Sequence, residues 1–136
     1  MIEFRLDSRS GVPTYLQLVH QVKQGVRIGT LQPGDQLPTV HEVARALAIN
    51  PNTVLKAYRD LEHEGVAEGR RGRGTFVSRT LPATAPADHS LLQSELLRWI
   101  RRARDAGFDE EGVEALFAAA VQRSFSSGAN RRPTAP

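Results

Sequence analysis

The sequence predicts a mainly α-helical chain in two parts: three helices and a short β-hairpin over residues 1–80, then a two-helix hairpin over residues 89–127. Three observations predict it. Apolar residues recur at helical spacing in five separate segments. Two short β-prone runs flank the Gly/Arg stretch 69–74. Between the two parts, Leu81-Pro-Ala-Thr-Ala-Pro-Ala-Asp88 holds two prolines and no large apolar residue after Leu81, so 81–88 reads as an extended linker. The Gly/Asn/Arg/Pro-rich end, 128–136, reads as a flexible tail.

Pro13 opens the first helix. Tyr15, Leu18, Val19, Val22 and Val26 form one apolar face, and Gly29 ends it. Pro33-Gly34-Asp35 makes a tight turn, with glycine free to take a positive φ, and Gln36-Leu37 follows as a short extended piece. Thr39 and Glu42 stand three apart, the spacing of a capping box, and start a second helix that buries Val43, Ala44 and Leu47. Asn50 fits an N-cap and Pro51 the first helical position of a third helix.

That third helix turns Val54, Ala57, Tyr58 and Leu61 to one side and Asn52, Leu55, Lys56 and Arg59 to the other, and Gly65 closes it. Only Ala48-Ile49-Asn50 separates helices two and three, the connection length of a helix-turn-helix. Val66-Ala67-Glu68 and Thr75-Phe76-Val77 then read as two strands around a Gly/Arg tip. Beside a helix-turn-helix, such a hairpin is a wing.

In the second part Asp88 fits an N-cap, and Leu92, Leu96, Trp99, Ile100 and Ala103 make an apolar stripe that stops at Gly107. Asp109 caps the last helix, whose face carries Val113, Leu116, Phe117, Ala120, Val121 and Ser124. A helical hairpin this small cannot bury both stripes alone. A second copy is the simplest cover, so Leu92, Leu96, Trp99, Ile100, Val113, Leu116 and Phe117 are the expected dimerisation residues.

Hydrophobic residues at 40% and charged residues at 24% mark a soluble globular chain. Cysteine is absent, which excludes disulfides, Cys-ligated zinc, iron–sulfur clusters and thiol nucleophiles, and fits a reducing cytoplasm. With no run of about 18 apolar residues and no basic-then-apolar start, neither a membrane span nor a signal peptide is expected. Residues 1–80 hold 11 Lys+Arg against 8 Asp+Glu, and the remainder 7 against 7, so the net charge of +3 lies wholly in the first part. Arg70, Arg71, Arg73 and Arg79 sit together without an acid, which suits an anionic partner.

The run Ile28-Gly-Thr-Leu-Gln-Pro-Gly-Asp-Gln-Leu-Pro-Thr39, then Val43-Ala44, Asn50-Pro-Asn-Thr-Val-Leu-Lys-Ala-Tyr58, Leu61-Glu-His-Glu-Gly65 and Gly72-Arg-Gly-Thr-Phe-Val77 resembles the winged helix-turn-helix of the GntR family of bacterial transcription regulators. The resemblance spans roughly residues 10–78, with the family's motifs in order. The Asn-Pro-Asn-Thr-Val-x-Lys-Ala-Tyr form and the short helical C-terminal part are similar to the YtrA subfamily. The resemblance implies a homodimer held by the C-terminal helices, which binds double-stranded DNA and represses short operons. Two positions depart from the family: His41 stands where an Arg commonly contacts DNA, and Leu55 where many members carry a polar or basic side chain.

One α-helix fits the major groove, and this motif class reads bases from the N-terminal turns of its recognition helix. Asn52 then fits an adenine edge, a phosphate, or a turn amide that only caps. Thr53 fits a phosphate, a thymine methyl or a local backbone bond, and Leu55 a thymine methyl or plain exposure. Lys56 and Arg59 suit phosphates, which position without specifying. Thr39 suits a phosphate at the start of helix two, with His41 and Arg45 on the same side. Arg70, Arg71 and Arg73 of the wing suit the minor groove or its phosphates, above all Arg73 between Gly72 and Gly74.

Other classes find less support. No His-x-x-x-His or Glu-x-x-His spacing occurs, the four histidines are scattered, and Asp109, Glu110, Glu111 and Glu114 suit a helix start, so neither catalysis, a metal nor a cofactor is expected. Arg98, Arg101, Arg102 and Arg104 around Trp99 are the place for a lipid-surface role, but a dimer seam accounts for that stripe more simply and no membrane partner is expected. The stronger alternative is a winged-helix module for protein association without a specific operator. No residue pattern indicates a small-molecule effector.

Overall fold

The computed structural model describes residues 2–80 and 89–130; the linker 81–88 with its Asp88 cap, and residues 131–136, lie outside the described residues. The chain divides into two compact units, one ending at His89 and the other beginning at Ser90.

In the first unit α1 (Thr14–Ile28) starts directly behind Pro13 and ends at Gly29, whose N–H caps the Val26 carbonyl. Leu18, Val19 and Val22 of its apolar face are buried, while Tyr15 and Val26 pack half-buried against the core. Two α1 glutamines then tie down the N-terminal segment. Arg5 N–H donates to Gln21 Oε1 at 2.9 Å and Gln21 Nε2 donates back to the Arg5 carbonyl at 2.6 Å. Gln17 Oε1 accepts from Asp7 N–H at 2.8 Å. These side-chain rungs satisfy backbone groups that have no sheet to join, and they seat Phe4 in the core.

The helix-turn-helix follows the expected caps. α2 (Val40–Leu47) begins with a complete capping box: Thr39 Oγ1 accepts from Glu42 N–H at 3.1 Å, and Glu42 Oε1 accepts from Thr39 N–H at 3.0 Å. α3 (Pro51–His63) starts behind Asn50, whose Oδ1 accepts from Asn52 N–H at 2.8 Å. The turn between them passes through Ala48 at φ 53, a left-handed conformation that a side chain disfavours. α3 packs on both α1 and α2.

The hairpin pairs β1 (Ala67–Arg70) with β2 (Gly74–Val77) in antiparallel register, Ala67 opposite Val77 and Arg70 opposite Gly74. This corrects the sequence expectation: Gly69 and Arg70 belong to the ladder, and the tip is only Arg71-Gly72-Arg73. Glycine carries no side chain to pack and so hides a strand from propensity, yet its backbone pairs normally. Gln36-Leu37 adds the extended rung the sequence indicated, bridging to Phe76, with Leu37 N–H donating to the Thr75 carbonyl at 2.8 Å. Leu18, Val22, Leu37, Val54, Tyr58, Leu61 and Val77 fill the centre of this unit.

The second unit holds the two expected helices, α4 (His89–Asp105) and α5 (Glu110–Asn130). Asp109 Oδ1 accepts from Gly112 N–H at 2.8 Å and caps α5. α5 runs three residues into the expected tail of 128–136, since Ala129 favours helix and the first proline comes only at Pro133. Among its described residues only Ala103 and Val113 are buried; Leu92, Leu96, Leu116 and Phe117 are exposed, and Trp99 and Ile100 half-buried.

Candidate nucleic-acid interface

The first unit gathers its candidate residues on α2, α3 and the wing. On α3, Asn52, Lys56 and Arg59 are exposed, spaced to share a side of the helix opposite the buried Val54, Ala57, Tyr58 and Leu61. Thr53 and Leu55 are half-buried. Asn50 caps the helix through the Asn52 backbone N–H, so the cap does not require the Asn52 side chain. That removes the capping reading of Asn52 and leaves its amide available for a ligand.

On α2, His41 and Arg45 lie four residues apart and both are exposed. Thr39 accepts the Glu42 N–H through its oxygen and keeps its hydroxyl hydrogen for a further acceptor. Glu42 is held below the usual carboxylate range, first by the Thr39 backbone N–H and then by the Thr39 side chain. The fixed anion beside this helix start opposes a phosphate there, so the Arg45 charge and a hydrogen bond from His41 would have to outweigh it.

The wing arginines divide by chemistry. Arg70 donates to Glu68 at 2.9 Å and its guanidinium lies 4.4 Å from the centre of the Phe76 ring, so its charge is already used within the hairpin. Arg71 and Arg73 at the tip are exposed and, like Arg45 and Arg59, have no ion pair among the described residues. Gln36 Nε2 donates to the Arg73 carbonyl at 3.1 Å and Arg73 N–H to the Arg70 carbonyl at 2.9 Å, which fix the backbone of the tip while leaving its side chains free.

Two contributors escaped the sequence reading. Gln36 carried only the expectation of an extended piece, and Tyr15 only that of an apolar face; the structure puts the Tyr15 ring 4.0 Å from the Lys56 ammonium. Neither has a local signal, because both partners lie far away in sequence. Tyr58 belongs to the core as expected, with its hydroxyl bonded to the Pro38 carbonyl. Among the described residues no group of three His, Asp or Glu stands close enough to hold a metal, and no helix is long and apolar enough to cross a membrane.

Comparison with known proteins agrees with this geometry. Residues 14–77 match the bacterial regulatory proteins of the gntR family. The HTH-type transcriptional repressor YtrA of Bacillus subtilis (strain 168) is 40% identical over 79% of this chain and 83% of its own length. Among solved structures, one from Listeria monocytogenes EGD-e described as a transcriptional antiterminator superposes with a TM-score of 0.57 at 29% identity, covering 90% of this chain and 92% of that one. YtrA from Sulfolobus acidocaldarius, a GntR-family transcription factor, gives 0.52 at 30% identity, covering 72% and 97%. These relatives are regulators rather than enzymes, and the buried and exposed faces of α3 fit a helix that binds DNA. The chain belongs to the gntR family of bacterial regulatory proteins, within its YtrA subfamily.

Proposed function

We propose that the chain acts in the cytoplasm as a homodimeric repressor of an inverted-repeat operator. Asn52, Thr53 and Leu55 at the start of α3 read the major groove, Lys56, Arg59, Thr39, His41 and Arg45 hold the flanking phosphates, and Arg71 and Arg73 reach the adjacent minor groove. The observation that carries this reading is the division of α3: one side is sealed into the core, and the other offers an amide and two cations, while the tip of the hairpin that follows carries two exposed arginines. The sense of regulation is carried over from the repressor YtrA of Bacillus subtilis.

The dimer reading rests on the second unit. Leu92, Leu96, Leu116 and Phe117 are 57%, 37%, 39% and 46% exposed, on helices whose buried residues are only Ala103 and Val113 among those described. Large apolar side chains left in water in this number point to an interaction partner. A second copy supplies a matching stripe, and a symmetric pair presents two recognition helices to two half-sites.

The test is selection of duplex DNA from a random pool by the purified chain, at about 150 mM salt with excess competitor so that phosphate attraction alone does not suffice. The expected product is an inverted repeat with half-sites about one helical turn, or a multiple, apart. Absence of enrichment would refute the operator reading and favour a winged-helix module for protein association.

A further inference from the structure

Lys56 and Tyr15 form a contact between two helices: the Lys56 ammonium lies 4.0 Å from the centre of the Tyr15 ring. Tyr15 stands in the first turn of α1 and packs half-buried against the core, while Lys56 is exposed in the second turn of α3. The two helices pack against each other, so the ring is held by the body of the unit and the cation rests on it.

Two other cations of this unit are neutralised by carboxylates, Arg70 in addition to its contact with the Phe76 ring. Lys23 is paired with Glu64, and Arg70 with Glu68, and in each case a carboxylate neutralises the charge it orients. An aromatic face orients a cation through its quadrupole and carries no net charge. Lys56 therefore keeps its full unit charge and protons to donate, while its long flexible stem is confined near one direction. Ordering a lysine stem at the moment of binding costs side-chain entropy, which this arrangement has largely spent in advance.

We infer that Tyr15 is a positioning residue for DNA binding, holding the Lys56 ammonium at the start of the recognition helix ready for a backbone phosphate. This rests on the DNA reading proposed above. Tyr15 acts through its ring face, so phenylalanine serves in its place and leucine, which fills similar space without a π-system, does not.

The test is a double-mutant cycle on the full chain, read by fluorescence anisotropy with a labelled mixed-sequence duplex at about 50 mM salt, where phosphate contacts dominate. Tyr15→Leu is expected to weaken binding about two- to fivefold, the range of an exposed cation–π contact, with the salt slope unchanged. Lys56→Ala lowers both affinity and slope, the slope by about one. In the Lys56→Ala background Tyr15→Leu adds nothing, and Tyr15→Phe binds like the wild type. Additive effects of Tyr15→Leu and Lys56→Ala, or a Tyr15→Phe as weak as Tyr15→Leu, would overturn the inference.

A second measurement needs no variant. Ring current from Tyr15 should shift the Lys56 ε-methylene protons upfield in the NMR spectrum of the wild-type chain, and shifts at ordinary lysine positions would overturn the contact. A wild-type chain that shows the upfield shift yet does not bind the duplex refutes the DNA reading, and the positioning role with it, while leaving the contact standing.

Discussion

The Tyr58 hydroxyl donates to the Pro38 carbonyl oxygen at 2.6 Å, both residues buried, and so ties the middle of α3 to the residue preceding the cap of α2. The bond satisfies a carbonyl that no helix or strand would otherwise reach, and it sets where α2 begins relative to the recognition helix. Tyr58→Phe leaves that carbonyl buried without this donor and is expected to cost about 1–3 kcal/mol of stability in denaturant unfolding. The phenol is also pushed above its ordinary range, chiefly by burial and further by the charge of Glu42. A raised folded pKa means stability fully present below the unfolded value, about 10, and lost as pH rises toward the folded one. Tyr58→Phe should therefore flatten the alkaline limb of the stability curve; an unchanged limb would show that another group controls it.

The capping box predicts the opposite limb. The Thr39 backbone N–H and side chain hold Glu42 below its ordinary carboxylate range. A depressed folded pKa contributes stability above the unfolded value, which is lost as pH falls through the folded one. Glu42→Gln should weaken the dependence of melting temperature on pH in that acid range. Thr39→Ala removes the cap itself and is expected to cost about 1 kcal/mol at neutral pH. Melting curves of both variants between neutral and acid pH check the two effects separately.

Local rules accounted for helix starts in both units. Thr39, Asn50, Pro51 and Asp109 cap or open helices as their types and spacings indicate, because a cap involves only residues within one turn. What escaped depends on distant partners. Arg70 looked like another free tip arginine, and only the strand register puts it between Glu68 and Phe76. Leu55 looked fully outward, yet the packing of the helix leaves it half-buried. The Gln17 and Gln21 rungs to the N-terminal segment have no sequence periodicity at all. Candidate DNA residues were legible as a pattern of exposed cations and amides, whereas the ring that orders Lys56 was not.

Ala48 offers a stabilising change. It sits at φ 53 in the turn between α2 and α3, the one non-glycine residue with positive φ among the described residues. An L side chain there costs about 1–2 kcal/mol, against roughly 0.4–1 kcal/mol of extra unfolded-state freedom for glycine. Ala48→Gly is therefore expected to gain about 0.5–1 kcal/mol by that difference, with DNA affinity unchanged. Calorimetry that shows a lower melting temperature would mean the alanine methyl makes a contact worth more than the strain.

The proposed seam makes a sharper demand on the second unit. Leu96 is exposed and Trp99 half-buried on α4, so a charge at either position has little to disturb within one copy. Placed in an apolar seam between copies, the same charge would be desolvated without a partner. Leu96→Asp and Trp99→Asp are each expected to give monomers by light scattering, with operator binding lost because one unit buries too little surface to be specific. If both variants remain dimers, these residues do not form the seam.

Arg73 provides the test of the wing, because its backbone and side chain are separately employed. Its carbonyl accepts from Gln36 Nε2 and its N–H donates to the Arg70 carbonyl, contacts that an alanine retains, while the guanidinium is exposed at the tip. Arg73→Ala should leave thermal stability unchanged, weaken binding across sequences, and lower the salt slope by about one. Arg70→Ala should do the reverse: it removes the Glu68 pair and the Phe76 stack, so the hairpin loosens while the slope moves little. Anisotropy titrations over a salt series, run beside melting curves, separate the two. An Arg73→Ala loss confined to one operator position would assign that side chain to a base edge instead of the phosphates, since only a base contact discriminates by sequence.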